Sequence, residues 1–335
     1  MNNRQTDILK QPVPILLLTF VLLLALVTIR GAVVPSGVES TVGVLSPVGE
    51  WFNATLGSVW GVAVSVLATL LGAVIITRII GRYSLSVIRS FVPMVLLVIC
   101  VAGVVFPVGS PAVAVALLML IHSTELMIMS FRRTERFSEV MRATFWSSLA
   151  ALLIPDLIYI VALLPVQWLI WQRSPREMVA GGIMLPLPLI LASFCYWVGG
   201  KKVLWLAGEW GKGLSPLNGI DFGALYAGLG GCLPAILLGV LTLLTLASIV
   251  VFIGGFGSMR LRARKGHVYF SLLYMTGALM LLGGVPAVVA LPTMGFASVP
   301  LIHTFFVRRK GLLGVTIYII MVLLALTVAT LPLFG

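Results

Sequence analysis

Apolar residues run along this chain in long blocks, and the connections between them hold the glycines, prolines, serines and charges. Blocks of about 17 to 25 apolar residues match the thickness of a bilayer core. They predict spanning helices at roughly 14–33, 56–79, 91–107, 112–131, 178–198, 229–254, 268–284, 286–306 and 312–332. Period-two alternation is absent. Backbone in lipid must bond within a helix or a closed barrel, so helices are expected throughout.

One block does not fit. From Arg142 to Arg176 the chain reads RATFWSSLAALLIPDLIYIVALLPVQWLIWQRSPR, with basic residues at both ends and Pro155-Asp156 in its middle. It is too long for one ordinary span and too short for two. The basic residues decide between the alternatives. If the block returns to its starting side, 18 of the 22 Lys and Arg lie on one side and 4 on the other; if it crosses once, the division is 12 and 10. Cytoplasmic loops are the basic ones, so the first arrangement is preferred. The expected fold is therefore an all-α integral membrane protein of about nine full spans plus a short re-entrant helical hairpin at about 143–171. Residues 1–335 form a single polytopic domain, with outside loops at about 34–55 and 199–227. The N-terminus is expected to be cytoplasmic and the C-terminus periplasmic, in a bacterial inner membrane. Hairpin arms of roughly 13 and 15 residues reach about 20 Å each. They fall short of a core of about 30 Å, so the tip is expected to form the floor of a cavity open to the outside.

Composition agrees. Hydrophobic residues make up 60% of the 335 positions and charged residues 10%, and the mean hydropathy is +1.15. No room is left for a separate soluble domain. The net charge of +12 sits in short clusters between apolar blocks, which excludes nucleic acid as the expected partner and leaves membrane lipid. Cys100, Cys195 and Cys232 lie far apart in apolar segments and read as packing residues. The first block, after Arg4 and Lys10, has no clear small-x-small cleavage site and reads as an uncleaved span.

Candidate chemistry is sparse. Asp156 is an ionisable residue at membrane depth, a functional candidate by default; the plainer reading is a helix cap after the break. Glu50 and Glu39 lie on the first outside loop, where a carboxylate can act as a general base on an acceptor hydroxyl. Glu50 is favoured because Trp51 and Phe52 would hold it at the membrane surface. Lys201 and Lys202 break the charge trend on the outer face and can bind a lipid phosphate as point charges. Nearby Glu209 and Asp221 read as solvated or paired with Lys212. The VLWLAGEW segment is expected to lie along the interface with its indoles at headgroup level. His122 and Glu125 share a helix face and can form a proton relay, or Glu125 can bond a nearby Arg. His303 reads as a satisfied packing residue. Asn53-Ala54-Thr55 matches a glycosylation sequon that is common by chance. The P-loop, HExxH, CxxC and nucleophile-elbow motifs are missing, so no cofactor or metal site is expected.

The stretch from Arg132 to Trp197 resembles an uncharacterised family of polytopic inner-membrane proteins of Bacteroidota. The resemblance rests on the aromatic and small residues Phe145 to Ser148, the break at Pro155, the apolar return Leu157 to Leu169, and Arg176-Glu177 opening the next span. The order of parts is also similar to the type C glycosyltransferase superfamily, which transfers sugar from a polyprenyl-phosphate donor on the outer face. That resemblance implies that Glu50, or Glu39, is the loop acid, and that a polyprenyl-phosphate-linked sugar is the donor. The first outside loop lacks the Asp and the acidic pair of that pattern, and Ile154 precedes Pro155 where many members carry a basic residue. Three functions stay open: an envelope glycosyltransferase, a non-catalytic accessory subunit of an envelope membrane complex with a protein partner, and a small-molecule or lipid transporter built on His122, Glu125 and Asp156.

Overall fold

A computed structural model describes residues 13–33, 45–82, 85, 90–102, 110–131, 137–220, 222–229, 232–308 and 312–330. Among these residues there is helix and turn and no strand. Helix α1 is Val13–Val33, α2 Pro47–Arg82, α3 Val92–Leu97 (continued as a π-turn, Val98–Ala102), α4 Pro111–Ser130 and α5 Phe137–Leu153. A 3-10 turn at Pro155–Leu157 leads into α6, Ile158–Val161, and α7, Leu164–Ile170. Then follow α8 Pro175–Met184, α9 Leu187–Val198, α10 Trp205–Lys212, α11 Phe222–Leu229, α12 Cys232–Gly254, α13 Leu261–Leu282, α14 Ala287–Arg308 and α15 Leu312–Thr330.

Within the described residues each predicted span lies on helix, the one at 178–198 on the pair α8 and α9. Among the described residues, six helices are long and apolar enough to cross a membrane: Val59–Arg82, Pro111–Ser130, Pro175–Val198, Cys232–Gly254, Ala287–Arg308 and Leu313–Thr330. The other three are helical too, but Pro14–Leu26 and Val92–Val101 are shorter apolar helices. The α13 helix carries Arg262, Arg264, Lys265 and His267 in its first two turns, which lowers its hydropathy. The loop expected at 34–55 is shorter than that, because helix begins at Pro47. Ser46 caps it, accepting from the Gly49 N–H at 3.2 Å. At Gly57 the backbone turns to φ 63°, ψ −175°, a conformation open to glycine, and a polar helical segment gives way to the apolar one.

Contacts sort the chain into two ends. At one, Ser46 meets Leu153 and the Gly219 N–H bonds the Gly283 carbonyl. At the other, the rings of Phe131 and Trp171 lie 5.6 Å apart, Arg262 stacks on Phe131, and Arg308 donates to the Gly255 carbonyl. Residues 131 and 171 are therefore neighbours. Helix α5 has 17 residues, about 25 Å of helix, longer than the arm of roughly 13 residues that the sequence suggests. The α5 helix packs antiparallel on α4 through small buried residues, Ala143, Ser147 and Ala150, which let the backbones approach. Ser123 of α4 donates to the Ala143 carbonyl at 2.7 Å.

The 18-residue core of α14 is 100% buried, whereas that of Pro175–Val198 is 11% buried. So α14 is the axis of the bundle and α8–α9 is its rim. Of the cysteines, Cys100 is buried as expected, but Cys195 and Cys232 are exposed on apolar helix faces; all three are free.

Candidate functional site

The turn at residues 154–157 is the most constrained polar feature of the fold. The residue before a proline is pushed out of helical geometry, and Ile154 accordingly sits at φ −129°, ψ 102°. This ends α5 and strands its last carbonyls, which a buried helix end must satisfy elsewhere. Other segments supply the donors. The Ala151 carbonyl would have taken the N–H of residue 155, which proline lacks; it takes the indole N–H of Trp210 instead, at 2.8 Å. The Leu152 carbonyl accepts from the Ser46 hydroxyl, and the Leu153 carbonyl from the Ser46 N–H at 3.1 Å. Gly49 lies so close that an added Cβ would stand 2.5 Å from the Leu153 oxygen.

Asp156 is fully buried at this turn. One carboxylate oxygen accepts from the Ser215 N–H at 2.8 Å, the other from the Ser215 hydroxyl at 2.8 Å. The Tyr159 hydroxyl donates to the Ser215 carbonyl at 3.3 Å. Asp156 thus does not cap its own helix; it fastens residues 199–220, which lie over the turn as a strap carrying α10. The expected open floor is not found, because Ile154, Pro155, Asp156 and Leu157 are all buried beneath that strap. Helix α10 covers most of the VLWLAGEW segment, but its Trp210 is turned inward to the Ala151 carbonyl instead of outward to headgroups.

Glu50 is exposed in the first turn of α2, beside exposed Trp51 and half-buried Phe52. Lys201 and Lys202 are exposed at the start of the strap. The Lys201 ammonium lies 5.0 Å from the Trp205 ring centre, a cation–π contact. Glu209 pairs with Lys212 at 2.7 Å, as expected. The structure therefore gathers Glu50, Asp156, Lys201 and Lys202 at one end of the bundle. Among the described residues, no hydrogen bond or ion pair joins them to one another. Glu39 and Asp221 lie outside the described residues.

Asn53 does other work than a sequon. Its amide donates to the Ser110 hydroxyl at 3.1 Å, and its carbonyl accepts from the Ala112 N–H at 2.9 Å, so it caps α4 across the fold.

At the opposite end, Glu125 is fully buried and binds the Arg78 guanidinium, with the His122 ring nitrogen 3.6 Å away and the Trp146 ring against His122. This is the plainer of the two expectations. Sequence reasoning missed Arg173, which is buried, donates to the Ser130 carbonyl at 2.7 Å and faces Glu177 at 3.7 Å. Burial lowers its pKa, and Glu177 and then Glu139 oppose that shift. Its signal was the Ser174-Pro175-Arg176-Glu177 capping box, which the structure forms at 3.0 and 3.3 Å. His303 is buried as expected, yet neither of its ring nitrogens has a partner among the described residues.

No family model, no curated protein and no solved structure matches the chain.

Proposed function

We propose that this is a multi-pass protein of a bacterial inner membrane that moves sugar from a polyprenyl-phosphate donor at its periplasmic face, in the manner of the type C glycosyltransferases. In this reading the basic end is cytoplasmic, the N-terminus lies there, and the C-terminus is periplasmic after nine spans. The segment around Asp156 is a re-entrant hairpin. The positive-inside division of 18 and 4 supports that orientation, and the meeting of Phe131 with Trp171 supports the return. One observation carries the site. Three segments far apart in sequence, bearing Glu50, Asp156 and Lys201-Lys202, converge at the end with few basic residues.

The roles follow from chemistry. Glu50, exposed beside apolar Trp51, takes the proton of an acceptor hydroxyl as that oxygen attacks the anomeric carbon. The bond from that carbon to the phosphate oxygen breaks, and the polyprenyl phosphate leaves. Lys201 and Lys202 hold its charge. Asp156 acts as a positioning residue that fixes the strap on which those lysines stand.

A second reading has its own support. Both oxygens of Asp156 are engaged and the turn is covered, which suits a braced, non-catalytic subunit docked in an envelope complex. Native mass spectrometry of the chain extracted in mild detergent separates the two. The enzyme reading expects a retained polyprenyl-phosphate sugar, lost in the Lys201→Gln, Lys202→Gln double variant and retained but unreacted in Glu50→Gln. A retained protein without such a lipid, or turnover unchanged in Glu50→Gln, overturns it.

A further inference from the structure

Helix α7 meets the bundle core around a small cavity with both apolar and polar walls. Its walls include Gln167 of α7, Thr124 of α4, Ser147 of α5, Tyr269 of α13 and Thr293 of α14. It has room for on the order of one water molecule. Gln167 is 97% buried (3% exposed), and its side-chain Nε2 has no hydrogen-bond partner among the described residues.

The hydrogen-bond directions around this cavity fix one another. Ser123 gives its proton to the Ala143 carbonyl at 2.7 Å. The Ser147 hydroxyl, 2.6 Å from Ser123, must therefore be the donor in that pair, which leaves its oxygen free to accept. Thr124 gives its proton to the Leu120 carbonyl at 2.9 Å. Tyr269, 3.3 Å from Thr124, is then the donor to it, and the phenol oxygen is left to accept. Thr293 donates to the Val289 carbonyl at 2.9 Å, so its oxygen too can only accept. The cavity thus presents hydroxyl acceptors and a single unused donor, the Gln167 amide.

We infer that this cavity is a binding site for one ordered water, which accepts from Gln167 Nε2 and donates to the Thr293 hydroxyl oxygen and to one other of the hydroxyl oxygens. An anion does not fit, because one donor faces several lone pairs. An apolar occupant does not fit, because it leaves the amide unsatisfied at a cost. A bare cation would be pushed away by the amide protons, and would require the Gln167 side chain to present its oxygen instead. The inference rests on the cavity alone and is independent of the glycosyltransferase reading. Its consequence is that α7 is joined to α14 and to one further helix through a solvent molecule.

The test is the thermal unfolding of the full chain in detergent, for Gln167→Met and Thr293→Val. An occupied site loses a partner in each variant, so Tm falls by about 2 to 4 °C. A dry cavity gives the opposite sign for Gln167→Met, because the change removes a buried unsatisfied donor; a raised Tm overturns the proposal. Should Gln167→Met fail to fold, Thr293→Val decides, since its hydroxyl proton serves only its own helix; an unchanged or raised Tm then overturns the proposal. A Tm that rises with sodium chloride and not with choline chloride identifies a cation and overturns the water assignment.

Discussion

Asp156 and Glu125 are both fully buried carboxylates, and the fold holds them in opposite ways. Glu125 is matched by charge: Arg78 binds it, with His122 close by, and the Arg78 side chain is still 45% exposed. Asp156 is matched by neutral donors, the N–H and hydroxyl of one serine 59 residues away. A charge pair depends on both charges being present, whereas a serine clamp depends on shape and hydrogen-bond count. The first joins two long helices along their length; the second closes a strap over a turn.

The comparison breaks most strongly at Arg78. Arg78→Met leaves the Glu125 charge buried without its guanidinium, and is expected to cost about 3 kcal/mol, the lower end for a broken buried pair, because Arg78 is half in solvent. Adding Glu125→Gln should restore most of that loss in thermal unfolding, since an amide needs no counter-charge. Next comes Asp156→Ala, which removes both acceptors and is expected to cost about 2 kcal/mol. Hydrogen exchange should then rise in the backbone of α10, Trp205–Lys212, and stay unchanged in α14. Smallest is Asp156→Asn, expected within about 1 kcal/mol of the parent, because its amide can accept from the Ser215 N–H and donate to the Ser215 hydroxyl. A loss as large as that of Asp156→Ala would mean that the negative charge itself is needed there, and the contrast with Glu125 would fall.

These partnerships also show what the sequence could convey. Helix positions were legible because apolar blocks of membrane length have few other stable forms. The break at Pro155 was legible too, as a proline-aspartate pair in the middle of an apolar block. The first turns of α2 were not: after Ser46-Pro47 come Gly49, Glu50 and Asn53, too polar for a hydropathy reading, although Ser-Pro with a following Glu is also the pattern that opens α8. Asp156 was picked out correctly as unusual, but its partner was hidden, since nothing local links residue 156 to residue 215. Trp210 was hidden for the same reason. The need it meets, a carbonyl left open by the missing N–H of Pro155, was written in the sequence; the donor that would meet it was not.

The bonds from Ser46 to the end of α5 have a consequence in time. Ser46 and Leu152 are 106 residues apart. At about 5 to 20 residues per second of synthesis, the ribosome makes the first some 5 to 20 seconds before the second. Asn53 finds Ser110 earlier, 57 residues on. During assembly the Glu50 turn is therefore tethered first by its far side, to the start of α4, and waits for the end of α5 to arrive before its near side can close.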